Sequence, residues 1–92
     1  MTRNQVAYLL TIIMTAYPNS YRNIDDDATH DTVNLWFDML SAHDFTLACA
    51  GVKAMIAADT KGFPPCIGQV LEKNKLLEKQ LSADRGRGLG QA

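Results

Sequence analysis

The stretch Thr60–Lys73, "TKGFPPCIGQVLEK", decides the fold of this 92-residue chain. Gly62 is placed to end a helix or the turn after it, and we expect the adjacent Phe63 to fold back onto the core. Pro65 has the fixed φ that suits the first turn of a new helix, where its missing N–H does no harm. The stretch therefore predicts a rigid corner that ends one helix and sets the direction of the last one.

The last helix follows this corner. Its apolar face begins with Ile67, Val70 and Leu71 and continues through Leu77 and Leu81 at helical spacing. The remaining segment, "SADRGRGLGQA", is rich in glycine and basic, which predicts a flexible tail.

Three amphipathic helices precede the corner, over about residues 3–17, 28–42 and 45–58. Thr2 and Gln5 have the capping-box spacing for the first, and Asp44 is a good N-cap for the third. In each helix the apolar residues recur on one face. They are Val6, Leu9, Leu10, Ile13 and Tyr17 in the first, Val33, Trp36, Phe37 and Leu40 in the second, and Phe45, Ala48, Cys49, Val52 and Ile56 in the third.

The connections and the third helix support a compact bundle. Pro18 ends the first helix, because the residue before a proline is pushed out of the α region. The reverse side of the third helix is small and nearly uncharged, which predicts a central position between neighbours. We therefore expect an all-α fold, a small bundle of about four helices over residues 1–72. Residues 73–92 extend the last helix and form the flexible basic C-terminal tail.

Composition is that of a globular chain, with 47% hydrophobic and 21% charged residues. No apolar run approaches the ~20 residues that span a bilayer. Cys49 and Cys66 form neither a C-x-x-C pair nor a zinc signature, so we expect free thiols in a reducing, cytoplasmic compartment.

Charge is unevenly distributed, although the net charge is only −1. Residues 1–59 carry three basic and seven acidic side chains, whereas residues 60–92 carry six basic and three acidic ones. An acidic body with a basic end suits a protein that docks this end on an acidic partner, and it equally suits a solvated terminal helix.

Residue patterns for catalysis or metal binding are not evident. An EF-hand register from Asp25 puts His30 where glycine is required and Trp36 where the bidentate glutamate belongs, so the acids of "DDD" are expected to cap a helix. Cys66 could be a nucleophile beside a histidine, but a plain thiol is the simpler interpretation. The chain has no P-loop and no G-x-S-x-G motif. We expect no enzyme, no metal and no cofactor.

Duplex DNA binding is disfavoured by the third helix. The second and third helices could imitate a helix-turn-helix, but the recognition position "FTLACAGVKAMIAA" offers only Lys53 for phosphate or base contacts. The last helix is different, because Leu77 and Leu81 extend its apolar face beyond what three short helices could cover. That face suggests docking into a partner's groove, self-association or a fraying end.

The order of these signals resembles the phage replicative-helicase loader and inhibitor family, small helical proteins of phage and prophage replication modules. A helix ending at "AYP" is followed by "NLWFDMLSAHDF", an Ala-rich helix and "GFPPCIGQV", and the resemblance covers roughly residues 1–72. To the residues that carry it we assign structural roles: Tyr17, Pro18, Trp36, Leu40, Phe63, Pro64, Pro65 and Ile67.

The resemblance implies a non-enzymatic adaptor that binds the host's hexameric replicative helicase, restrains it and hands it to an origin-bound initiator. It also implies that the C-terminal region, here about residues 73–92, makes much of the helicase contact. The matching apolar anchors would be Leu76, Leu77 and Leu81, and the charge contacts Lys73, Lys75, Lys79, Arg85 and Arg87. Two alternatives stay open: a small nucleic-acid-binding protein that uses the basic helix and "RGRG", and a homo-oligomeric helical interaction module.

Overall fold

The computed structural model describes the backbone of residues 1–91 and the side chains of residues 1–83. It contains helices α1 (Arg3–Ala16), α2 (Asp26–Leu40), α3 (Phe45–Ala58) and α4 (Ile67–Gln91), with a 3₁₀ turn at Pro18–Tyr21. No strand occurs within residues 1–91. The predicted all-α fold of four helices is confirmed. None of these helices is both long enough and apolar enough to cross a membrane.

The helix starts follow from capping residues in the sequence. Thr2 Oγ1 accepts a hydrogen bond from the backbone N–H of Gln5, and the Gln5 side chain accepts one from the N–H of Thr2, which completes the predicted capping box. Asp44 accepts from Leu47 N at 2.9 Å, as expected of an N-cap. Asp25 accepts from Ala28 N at 2.7 Å, and α2 therefore begins two residues earlier than the apolar spacing predicts.

The core lies where the inward faces of the helices meet. Its largest fully buried side chains are aliphatic, and each contributes about 1.5–3 kcal/mol relative to an exposed position. Tyr17, Trp36 and Leu40 are buried there, in agreement with their predicted structural roles. The rest of the buried core is Val6, Leu9, Leu10, Ile13, Ala48, Val52 and Val70.

Helix α3 is central, because it packs against both α1 and α4. Gly51 explains the close approach of α4: a Cβ at this position would lie 3.0 Å from Lys73 Cγ and 3.3 Å from Leu77 Cδ1. The prediction of a central third helix is therefore confirmed. Its small reverse side nevertheless faces solvent, since Thr46, Ala50, Lys53 and Ala57 are all exposed.

The corner after α3 is organised by Asp59. Its carboxylate accepts hydrogen bonds from the backbone N–H groups of Lys61 at 3.0 Å and Gly62 at 3.1 Å, and from the Tyr17 hydroxyl at 2.7 Å. Gly62 has a φ of 82°, in the left-handed region that favours glycine. The corner is thus held by side-chain-to-backbone hydrogen bonds as well as by its prolines.

Two expectations about this corner are wrong. Phe63 does not fold back onto the core, and its side chain is 73% exposed. The buried side of the corner is occupied by Tyr17 and Pro65 instead. Pro65 is not in the first turn of α4, which begins at Ile67. The Gln69 side chain accepts the backbone N–H of Cys66 at 3.0 Å, which places Cys66 directly before the helix.

Helix α4 extends beyond Leu81, and its helical backbone continues to Gln91. The predicted flexibility of residues 82–92 concerns mainly residues 84–92, whose side chains lie outside the described part of the chain. It therefore stays a prediction.

Candidate partner-binding surface

The residues predicted to meet a partner lie on α4. Arg85 and Arg87 lie outside the side chains that the structure describes. The other predicted contact residues fall on different sides of α4 and are Lys73, Lys75, Leu76, Leu77, Lys79 and Leu81.

One side of α4 faces the bundle. Val70 and Asn74 are fully buried on it, and Leu77 is half-buried with its Cδ1 directed at Gly51 of α3. Leu77 is therefore covered by the bundle, contrary to the expectation that it extends the apolar face beyond the core. The aliphatic stem of Lys73 also packs at Gly51, so this residue helps to dock α4.

The other side of α4 is open to solvent. Lys75 and Lys79 are exposed there, and Leu76 is exposed to 48%. Leu81 is exposed to 40% for another reason, since it continues the inward stripe of Val70, Asn74 and Leu77 past the end of the neighbouring helices. At ~100° per residue, Leu76 and Leu81 lie about 140° apart around the helix axis. The structure therefore separates the three predicted leucine anchors.

A shallow groove follows the outer junction of α3 and α4. Met55 and Gln69 line it in the middle, and Leu76 lies at one end. At the other end the groove meets the corner, where Phe63 lies beside Pro65. Met55 and the exposed ring of Phe63 are missing from the predicted contact residues. The signal for Phe63 is its position directly after Gly62, whose positive φ turns the chain outward.

One polar contact joins α4 to the connection between α2 and α3. His43 Nδ1 lies 3.3 Å from Glu78 Oε1 and forms an ion pair with it only when the imidazole is protonated. Such partly exposed pairs contribute about 1 kcal/mol or less. Apolar burial at Val70 and Leu77 therefore outweighs it in holding α4 against the bundle.

Asn74 is a further residue that the predicted site misses. It has no exposed surface, and neither its Oδ1 nor its Nδ2 has a hydrogen-bond partner. An unpaired buried amide costs about 1–3 kcal/mol. Its signal in the sequence is a polar residue in register with Val70 and Leu77, where the pattern calls for an apolar one.

The side chains that could take part in catalysis or metal binding mostly have structural roles. Asp25, Asp44 and Asp59 accept backbone N–H groups. Cys49 is half-buried, and this burial raises the pKa of its thiol, while Cys66 is exposed. Within the described side chains, no three His, Cys, Asp or Glu residues are grouped to hold a metal ion.

Comparison with protein families gives one match. The model of the N-terminal domain of phage helicase-loader and inhibitor proteins matches residues 1–71, which comprise α1, α2, α3, the corner and the first residues of α4. The match ends before the lysine-bearing part of α4. Comparison with curated proteins and with solved structures found no significant match.

Proposed function

Since this chain belongs to the family of the N-terminal domain of phage helicase loader and inhibitor proteins, we propose that it binds a hexameric replicative helicase of the bacterial host. In this proposal the chain is a cytoplasmic adaptor without catalytic activity. It restrains the helicase and helps to load it at a phage replication origin, where an origin-bound initiator is its second partner.

The observation that carries the proposal is the surface of α4. Beyond the part matched by the family, exposed Leu76 lies between Lys75 and Lys79 on the outer side of α4, and Leu81 is exposed on another side of the same helix. Exposed apolar side chains bordered by lysines suit docking of a helix in an apolar groove with an acidic rim. The bundle holds this helix in position, and α4 meets the partner.

The experiment is capture of purified host replicative helicase by the full chain, with and without an ATP analogue. We expect a nucleotide-dependent complex with the wild type and a weaker one with Leu76→Asp plus Leu81→Asp. The matched control is Leu35→Asp plus Met39→Asp, which changes two exposed apolar side chains of α2 instead. Absence of any nucleotide-dependent complex with the full wild-type chain would contradict the proposal.

A salt titration separates the adaptor from a nucleic-acid-binding protein. The adaptor is expected to bind single- and double-stranded DNA weakly at physiological salt. A protein that uses its basic end on phosphates would instead show affinity that falls steeply with salt, with a slope set by the number of phosphate contacts. Tight, strongly salt-dependent DNA binding would favour this alternative.

A further inference from the structure

The interface between α4 and the bundle contains one buried side chain whose polar atoms have no hydrogen-bond partner. Asn74 lies between Val70 and Leu77 on the inward side of α4, fully buried, with both side-chain polar atoms unpaired. When α4 leaves the bundle, water can pair both atoms at once. The penalty therefore applies only to the docked state and favours opening by a factor of roughly 5 to 150.

The remaining contacts of α4 make such an opening a local event. Its docking rests on Val70 with Ile67 and Leu71 beside it, on the Lys73 stem and Leu77 at Gly51, and on the partly exposed pair of His43 and Glu78. The core between α1, α2 and α3 has its own buried residues, including Leu10, Leu40 and Val52. Opening of α4 therefore leaves most of the core intact.

We propose that α4 is a detachable cover whose inward face, formed by Val70, Asn74 and Leu77, is a concealed second surface for the helicase that continues into the exposed Leu81. This inference rests on the proposed function. While α4 is still packed on α3, its exposed residues Lys75, Leu76 and Lys79 make the first contact with the helicase. The helicase then binds the inward face of α4 as α4 leaves α3. The helicase surface that binds this face is apolar and has a hydrogen-bonding group opposite Asn74.

Two substitutions shift the docking equilibrium in opposite directions. Asn74→Leu replaces the amide by an apolar group of similar branching, so that the docked state no longer buries unpaired polar atoms. Gly51→Ala puts a Cβ 3.0 Å from Lys73 Cγ and 3.3 Å from Leu77 Cδ1 without changing any side chain of α4, so that both side chains must shift from their present packing on α3.

The opening itself is tested in the free full-length chain by native-state hydrogen exchange, without any helicase. We expect the amides of residues 74–83 to exchange through an opening that leaves α1 and α3 protected. Asn74→Leu should slow this exchange by about 5- to 150-fold relative to the wild type, and Gly51→Ala should speed it relative to the wild type. Exchange of α4 only together with the whole bundle, or equal rates in wild type and Asn74→Leu, would overturn the proposal.

The partner's use of this face is tested by titrating the helicase with the same variants. Because apparent affinity scales with the fraction of open chain, Gly51→Ala, which changes no side chain of the inward face, should strengthen binding by about the factor measured in exchange. Asn74→Leu should weaken binding by at least its own factor, because it also removes the amide that would pair with the helicase. Altered exchange with unchanged affinity in both variants would overturn the concealed surface and leave the proposed function standing. A wild type that binds no helicase would overturn the proposed function, while the exchange result would still report on the opening.

Discussion

The Tyr17 hydroxyl donates a 2.7 Å hydrogen bond to Oδ2 of Asp59, which joins the end of α1 to the end of α3 across 42 positions of sequence. The same carboxylate accepts the backbone N–H groups of Lys61 and Gly62 and thereby shapes the corner that leads into α4. One acid thus connects the bundle to the direction of the helix that we assign to partner binding.

Tyr17→Phe is expected to lower stability at neutral pH and to reduce its dependence on acid. The hydrogen bond from Tyr17, followed by those from backbone N–H groups, holds the pKa of Asp59 below its usual range. A lowered carboxyl pKa gives stability that is complete above the ordinary value of about 3.9 and is lost as the pH falls toward the folded-state pKa. Urea unfolding at a series of pH values between about 2 and 7 measures how the free energy of unfolding depends on pH.

The control for that substitution is Tyr8→Phe, because the exposed Tyr8 ring packs edge-on against Phe45 and its hydroxyl makes no hydrogen bond within the described residues. It should leave the pH dependence unchanged. The bond also raises the pKa of Tyr17, so its contribution persists below the ordinary tyrosine value and is lost as the pH rises through the raised one. Identical acid profiles for Tyr17→Phe and wild type would contradict this account.

Leu40→Ala should destabilise the bundle by about 2–5 kcal/mol, because Leu40 is fully buried and its truncation leaves a cavity. Leu35→Ala on the same helix should change stability by less than about 0.5 kcal/mol, since Leu35 is largely exposed. Thermal unfolding followed by circular dichroism measures both. Equal losses from the two substitutions would show that α2 packs through a different face.

Gly62→Ala should cost about 1–2 kcal/mol, because the φ of 82° at this position places an alanine Cβ too close to the following carbonyl oxygen. Gly68→Ala, in the first turn of α4 with open space around it, should instead stabilise by up to about 1 kcal/mol. Equilibrium urea unfolding compares the two. A stabilising Gly62→Ala would be incompatible with the left-handed corner.

Lys75→Glu plus Lys79→Glu should slow association with the helicase by about tenfold or more at low salt, and less at high salt, if these exposed lysines steer docking. Lys53→Glu plus Lys61→Glu changes net charge by the same amount at exposed positions outside α4. Stopped-flow association at two salt concentrations separates the pairs. An equal effect of both pairs would mean that overall charge, rather than the α4 surface, governs the encounter.

Much of the fold can be predicted from the sequence because its signals are local. The capping box of Thr2 and Gln5, the N-caps Asp25 and Asp44, and the apolar spacing of α1 to α3 each act within one or two turns. These features place the helices within about two residues, and they identify Trp36 and Leu40 as core residues.

The errors concern long-range packing. Whether Phe63 is buried depends on Tyr17 and Pro65, which fill the inner side of the corner. Whether Leu77 is exposed depends on Gly51, a residue of another helix whose missing side chain lets α4 approach. The buried, unpaired Asn74 also follows from that approach. The exposure of Phe63 and the burial of Leu77 are not visible in the periodicity of a single helix, whereas Asn74 interrupts the apolar stripe of α4 without showing that it is buried and unpaired.

The central claim is that the bundle is a scaffold and that α4 holds the helicase. Its most direct test is a hydrogen-exchange footprint of the full chain bound to the ATP-analogue form of the host replicative helicase. We predict new protection in α4 from Ile67 to Ala83, with the outward face of α2 around Leu35 and Met39 unchanged. Protection confined to α2, or no change in α4 on saturation with helicase, would contradict the account.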